Sequence, residues 1–190
     1  ARIDRRGRNP YMAAMAIRDI IIIPDKRLRL KSEAVKAVDK PLRKLVEDMF
    51  ETMYDAPDIG LAAIQVGEAK RIVTIDLAKK DEPRAPQVFI NTEVVTKSDD
   101  KKVHEEGCLS IPGEAEDVER AAVCTVKYLD TKGDEQTLRC EGLLAVAVQH
   151  ECDHLAGTVF VDRISMLKRE LIRKRMKRLK ADRAAEKEEE

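Results

Sequence analysis

Two histidines four residues apart lie inside one apolar segment towards the C-terminal end of the chain. The segment covers residues 143–155, with Gly142 before it and Gly157 after it. Its length and composition predict a buried helix that the two glycines delimit. On a helix, His150 and His154 project from the same face, one turn apart, so both imidazoles can reach one metal ion. The rest of the fold must therefore be arranged around this helix.

The residue after the first histidine, Glu151, suits a general base for a water molecule on such an ion. The chain has only three histidines, and two of them occur here, which argues against chance. A catalytic metal site needs three protein ligands and one open position. His104 and Cys108 are candidates for the third ligand, and composition does not choose between them.

The other three cysteines are expected to be packing residues without disulfides. Cys124 and Cys140 lie in apolar, strand-like sequence, where free cysteine behaves as a small hydrophobic residue. Cys152 lies between the two histidines, so helix geometry directs it away from their face. No CxxC pair supports a structural zinc ribbon.

The remaining pattern predicts an α+β domain in which antiparallel strands pack around the central metal-binding helix. Apolar residues at helical spacing predict an amphipathic helix over 40–53, and a long helix is expected to begin near residue 165. Strands are predicted at 72–75, 88–90, 121–128 and 136–140, with a turn at 130–133.

The length of 190 residues fits one domain with its own core. Residues 1–14, rich in arginine, are expected to be a flexible extension or a cloning remnant, with a trimmed organellar transit peptide as the alternative. Residues 167–190 form a basic C-terminal helix with an acidic tail. The apolar run at 20–23 is too short to span a membrane, so no membrane contact is expected.

Three segments resemble, in order and spacing, the motifs of peptide deformylases. They are DIGLAAIQ at 58–65, EGCLS at 106–110 and QHECDH at 149–154. The resemblance covers about residues 15–166, which would be the catalytic domain, and the long last helix is similar to that of the bacterial form. It implies removal of the formyl group from the N-terminal formyl-methionine of newly synthesised proteins. The implied location is the bacterial cytoplasm, with an organelle as the alternative.

The resemblance also implies the roles of the metal site. Cys108, His150 and His154 would hold one divalent ion, usually Fe(II), which zinc, nickel or cobalt can replace. A water molecule on the ion would attack the formyl carbon, with Glu151 as general base and then general acid.

Further roles follow from the same resemblance. Gln65 and the backbone N–H of Leu109 would bind the oxyanion. The peptide would add as an extra strand, with its methionine side chain in an apolar pocket. The residues implied in substrate binding are Ile59, Gly60, Leu61, Gly107, Leu143, Val146 and Ala147.

The resemblance also implies a contact outside the ligands and contains one departure from the family pattern. It implies that Arg120 pairs with Asp153, which would brace the metal helix. Asp58 stands where the family pattern has glycine, a departure that an aspartate in a solvated loop can accommodate. Its charge is expected to disfavour, modestly, acidic residues shortly after the formyl-methionine.

The expected partners are N-formyl-methionyl nascent peptides and, through the basic C-terminal helix, the ribosome near its tunnel exit. A monomer is expected. One alternative is a zincin-type metallopeptidase, which requires a further His or Glu ligand downstream of His154. The other is a catalytically weakened ribosome-binding module, whose structural metal site would be closed by a fourth protein ligand.

Overall fold

The computed structural model describes residues 16–79 and 81–189, so the predicted extension at 1–14 lies outside the described residues. The helices are α1 (Lys40–Asp55), α2 (Gly142–Leu155) and α3 (Met166–Glu189). The strands are β1 (Gly60–Ala62), β2 (Ile72–Ile75), β3 (Gln87–Lys97), β4 (Lys101–Gly107), β5 (Ala115–Ala121), β6 (Val123–Leu129) and β7 (Glu135–Glu141).

All pairings between these strands are antiparallel, which confirms the predicted α+β class. Five strands form one sheet in the order β1-β2-β3-β6-β7, and β4 and β5 form a separate hairpin. The terminal position of β1 leaves one of its edges without a strand partner in the described part of the chain. An edge of this kind can receive an extended peptide.

Helix α1 forms where the sequence predicted it. Asp39 caps it by accepting a hydrogen bond from the N–H of Leu42 at 2.9 Å, and Pro41 in its first turn needs no hydrogen-bond partner. On its apolar face, Met49 and Met53 are fully buried in a cluster that includes Leu61 of β1 and Ile72 of β2. This packing fixes the position of β1.

Helix α2 occupies the centre of the domain, in contact with β1, β2 and β7. Ala145, Val148 and Leu155 are fully buried in the main hydrophobic cluster. The side-chain amide of Gln149 donates to the carbonyl of Ala121 at 3.0 Å. The apolar residues therefore attach the helix to the five-stranded sheet, whereas Gln149 binds the end of β5 and His150 faces Glu106 of β4, both in the hairpin.

Helix α3 contributes to the core as well as to the surface. Ile172 and Met176 are buried in a second cluster that includes Cys108, Ile111 and Phe160. Acidic residues of the body also hold its basic side chains, as Glu116 does Lys168 and Glu114 does Arg175. Among the described helices, none combines the length and the apolar composition that crossing a bilayer requires.

Candidate metal centre and active site

Three buried donor side chains converge at the junction of α2 and the hairpin. Cys108 directly follows β4, and His150 and His154 lie on consecutive turns of α2. Their donor atoms all lie within 4.8 Å of one another, and Cys108 Sγ is 3.3 Å from His154 Nε2. One sulfur and two imidazole nitrogens suit a transition-metal ion, and three ligands leave a coordination position open.

A glutamate that the sequence analysis did not identify orients the first histidine. His150 Nδ1 lies 2.8 Å from Glu106 Oε2, so donating that hydrogen bond leaves Nε2 for a metal. Arg120 donates to both oxygens of Glu106, at 2.6 and 2.7 Å. Burial alone would raise the pKa of Glu106, but Arg120 and His150 outweigh burial and lower it to about 2. The glutamate is therefore a carboxylate that fixes the ring.

The predicted contact between Arg120 and Asp153 is present, with Nη1 2.7 Å from Oδ2. Asp153 also accepts from Arg163, which follows α2. Arg120 lies on β5 and is 4 % exposed. The buried guanidinium of Arg120 therefore binds Glu106 of β4 and Asp153 of α2, and it joins the hairpin to the helix that carries the histidines.

The two histidines have opposite pKa shifts. Burial lowers the pKa of His150, but its hydrogen bonds to Cys108 and Glu106 raise it well above its usual value. Burial, followed by the charge of His150, lowers the pKa of His154 well below its usual value. His154 is thus held neutral, the form that ligates metals. The negative surroundings of His150 favour a positive charge at this place, which a metal ion on its Nε2 would supply.

The carboxylate of Glu151 lies beside this centre in a buried position. Its Oε2 has no hydrogen-bond partner among the described residues. Burial raises the pKa of Glu151 to about 8, an effect that His150 opposes and Asp58 reinforces. Gly60 lies against it, because a Cβ atom there would be 2.5 Å from Glu151 Oε1. The absence of a side chain at Gly60 makes room for the carboxylate.

Gln65 holds a fixed orientation next to the donor set. Its Oε1 accepts from the N–H of Ala62 at 2.9 Å, which directs the amide NH2 towards Cys108 Sγ at 3.4 Å and Ser110 Oγ at 3.2 Å. The N–H of Leu109 donates to no acceptor in the described part of the chain. The Leu109 N–H, and the Gln65 NH2 that is shared between Cys108 and Ser110, therefore lie next to the donor set.

The donor set opens into a cleft of ≈ 560 Å³. The residues of its wall include most of those predicted to bind substrate, namely Ile59, Gly60, Gly107, Leu143, Val146 and Ala147. Leu61 differs, since its side chain is fully buried in the cluster around α1, and only its backbone can meet a ligand. Leu143, Val146 and Ala147 of α2 make their part of the cleft wall apolar.

Residues set aside in the sequence analysis lie away from the donors. His104 is in the middle of β4, opposite Val118, and is not among the three converging ligands. Cys124 and Cys140 are cross-strand neighbours in the main cluster, and Cys152 packs against its edge. All four cysteines are free.

Asp58 does not lie in the solvated loop that the sequence analysis expected. It is half-buried in the cleft wall, and Ile59 donates to its Oδ1 at 2.7 Å. Burial raises the pKa of Asp58, and the hydrogen bond from Ile59 opposes that rise. The reason for the difference is that Asp58 lies two residues before β1, whose first residue, Gly60, lies against Glu151 of α2.

Comparison with known proteins gives concordant results. The family model described as "Polypeptide deformylase" matches residues 17–170. A peptide deformylase from Mesorhizobium japonicum is 54 % identical over 170 residues, which is 90 % of this chain and 97 % of that protein. The crystal structure of peptide deformylase from Ehrlichia chaffeensis in complex with actinonin has a TM-score of 0.82 and 42 % identity, covering 86 % of this chain and 98 % of that one.

A third relative was solved with a peptide. The Met-Ala-Ser bound crystal structure of a class I type b peptide deformylase from Acinetobacter baumannii has a TM-score of 0.75 and 33 % identity. It covers 80 % of this chain and 100 % of that one.

Proposed function

Because this chain belongs to the peptide deformylase family, whose metal-dependent enzymes remove the formyl group from nascent proteins, we propose the role of each site residue in that reaction. Cys108, His150 and His154 hold the ion, and Glu151 moves the proton. The observation that carries this assignment is the convergence of three buried donors, within 4.8 Å of one another, beside a carboxylate oxygen without a partner.

The reaction cleaves the formyl C–N bond by adding water, which yields formate and a free amine. When bound, a divalent ion supplies Lewis-acid polarisation and lowers the pKa of water towards about 7. Glu151 accepts a proton from the attacking water and delivers it to the leaving nitrogen. Its position against Gly60 holds it beside the strand along which the peptide binds.

Two protein donors stabilise the oxyanion that develops on the formyl oxygen. Gln65 offers its NH2 group, which Ala62 orients, and Leu109 offers its backbone N–H. Each such donor is typically worth about 3 kcal/mol in the transition state. The methionine side chain occupies the apolar end of the cleft, against Val146 and Ala147.

Formate release from formyl-Met-Ala-Ser tests the assignment. Glu151→Gln should retain the metal but lose nearly all turnover, because the ligands are unchanged while proton transfer is removed. His150→Ala should lose both the metal and turnover. If Glu151→Gln loses metal to the same extent as His150→Ala, Glu151 is a structural residue and its role is misassigned.

We propose Fe(II) as the ion in the cell, with zinc, nickel or cobalt as substitutes. The mixed sulfur and nitrogen donor set accepts all of these ions. An iron-loaded enzyme should lose activity in air through oxidation of the iron or of the Cys108 thiolate, whereas the zinc form should persist. Metal analysis of anaerobically purified, active protein decides the identity, and zinc as the main metal there would reject iron.

The two alternatives have less support. A zincin-type peptidase needs a third ligand downstream of His154, but the third converging donor is Cys108, upstream. A closed structural site needs a fourth protein ligand, and the group found among the described residues has three. Cleavage of the peptide bonds of unformylated Met-Ala-Ser would instead support a zincin-type peptidase.

We also propose a monomer in the bacterial cytoplasm that docks on the ribosome near the tunnel exit through α3. Bacterial relatives and the exposed basic residues of α3 support this proposal. Lys174 and Lys177 are exposed and form no ion pair within the described residues. A dimer in sedimentation analysis would contradict the monomer.

A further inference from the structure

The contacts that orient His150 continue outward through a row of charged side chains of alternating sign. Glu106 lies against His150, and Arg120 in turn holds Glu106. Arg120 also donates to Asp153 of α2. The row ends at Arg163, whose Nε and Nη2 donate to the two carboxylate oxygens of Asp153. Two carboxylates thus alternate with two guanidinium groups, so the formal charges of the row cancel.

The guanidinium of Arg120 is shared between two carboxylates. Its Nε and Nη2 donate to Glu106 at 2.6 and 2.7 Å, and its Nη1 donates to Asp153 at 2.7 Å. Among the described residues, Arg120 and Arg163 are the two that donate to the Asp153 side chain. Without Arg163, the carboxylate of Asp153 would draw the guanidinium of Arg120 towards itself. Arg120 and Glu106 are buried, so water cannot replace the contacts that they would lose.

Arg163 is placed by a turn that is anchored in the core. It is the last residue of the 3-10 turn Phe160–Arg163. Phe160 and Val161 of this turn are buried in the cluster that includes Cys108. The side chain of Arg163 is 37 % exposed, and most ion pairs with that exposure contribute little. A guanidinium that binds a carboxylate through two N–H groups, as part of a network, is the kind of exposed pair that does contribute.

We propose that Arg163 is a positioning residue of the metal centre, which keeps Arg120 on Glu106 and so fixes the ring of His150 for the ion. The proposal rests on the metal site proposed above. It adds to that site a residue that is neither one of the three converging donors nor part of the cleft wall. An imidazole that is not held in place must be ordered when the ion binds, so loss of this support lowers the affinity for the ion.

The test measures the zinc affinity of the full chain by competition with a chelator. Arg163→Gln should weaken zinc binding by roughly tenfold, the low end for an outer partner, because it acts through two further side chains. Arg163→Lys keeps the charge but cannot bind both oxygens in the same way, and it should weaken binding by only about threefold. The visible absorption bands of the cobalt-loaded protein depend on ligand geometry, and they should change in Arg163→Gln.

Two further variants separate positioning from a general loss of stability. If Arg163 acts through Glu106, then adding Arg163→Gln to Glu106→Gln should weaken zinc binding by less than about twofold more. Arg27→Gln is the matched control, because Arg27 donates its Nε and Nη2 to the two oxygens of Asp25 in the same way, outside the metal centre. It should leave both the zinc affinity and the cobalt spectrum unchanged.

Three results would overturn the proposal. They are an unchanged zinc affinity in Arg163→Gln, an equal loss of affinity in Arg27→Gln, and an undiminished effect of Arg163→Gln when Glu106 is already replaced. Failure of the metal site itself would give a different result, since His150→Ala would then bind zinc as tightly as the unmodified protein.

Discussion

At the residue scale, the contact between Gly60 and Glu151 predicts a loss of activity without a loss of metal. In Gly60→Ala, the added Cβ would lie 2.5 Å from Glu151 Oε1 and 3.1 Å from its Cδ, so the carboxylate must move. A displacement of ~1 Å can cost roughly 100-fold in rate, and we expect kcat to fall by about that factor. Metal content should be unchanged, since no ligand is touched.

Gly107→Ala is the matched control for Gly60→Ala. Its new methyl group would meet only the carbonyl of Glu114, at 3.6 Å, which is an ordinary contact. Gly107 lines the cleft, so this variant is expected to change mainly KM for the peptide, and its effect on kcat should be much smaller than that of Gly60→Ala. An equal fall in both variants would mean that the cleft tolerates no added methyl group, and that Glu151 is not the group displaced.

The hydrogen bond between Glu106 and His150 predicts a change in metal affinity. Glu106→Gln removes the charge that orients His150 and leaves Arg120 partly uncompensated. Loss of such an outer partner typically weakens metal binding roughly 10-fold to 100-fold, which competition with a chelator measures. Glu105→Gln, one residue earlier but facing the cleft, should leave metal affinity unchanged, and an equal loss there would contradict the role of Glu106.

Residue roles were predictable only where local geometry determines them. Two histidines four apart on a helix must share a face, so His150, His154 and Glu151 could be predicted from the sequence. The choice of Cys108 over His104 needed the resemblance to a family. Glu106 escaped prediction because its role depends on side-chain contacts with Arg120 of β5, 14 residues away, and with His150 of α2, 44 residues away.

At the element scale, α3 predicts a sharp difference in stability between two adjacent residues. Ile172 is 0 % exposed in the cluster that includes Cys108, whereas Leu171 is 48 % exposed. Ile172→Ala should lower the free energy of unfolding by roughly 2–5 kcal/mol through the cavity it leaves. Leu171→Ala should lower it by about 0.5 kcal/mol or less. Urea unfolding of the metal-loaded protein measures both values, and similar losses would show that α3 does not pack as described.

The elements that could be predicted from the sequence are those in which apolar residues recur at the spacing of a helix or a strand. The predicted helix at 40–53 and strands at 72–75 and 136–140 agree closely with α1, β2 and β7. The hairpin of β4 and β5 was missed, because its strands alternate without an apolar face. In β4 the one buried residue is Glu106, so the pattern that marks a half-buried strand is absent. The hairpin instead buries the charged residues Glu106 and Arg120, which orient His150. Its sequence is therefore rich in charged residues.

At the scale of the whole molecule, a formal net charge of +0 means that the proposed docking on the ribosome needs a local group of basic residues. Acidic residues of the body hold the inward-facing basic residues of α3, as Asp162 does Arg169 and Arg173. Lys174 and Lys177 are instead exposed and form no ion pair among the described residues, and with Leu171 they line a groove between α3 and Ile23, Pro24, Asp25 and Arg29. The basic residues of α3 thus divide into those that attach the helix and those that remain available to a partner.

Substitution of the available pair tests ribosome docking without disturbing the core. Lys174→Gln with Lys177→Gln should weaken binding to ribosomes and make its dependence on salt less steep, by roughly one unit of log–log slope per lysine lost. Turnover of short formyl peptides should persist, because neither lysine lines the catalytic cleft. Lys31→Gln with Lys36→Gln removes the same charge from exposed positions outside α3, and it should leave binding intact. If both pairs weaken binding equally, the ribosome responds only to net charge, and α3 is not its docking site.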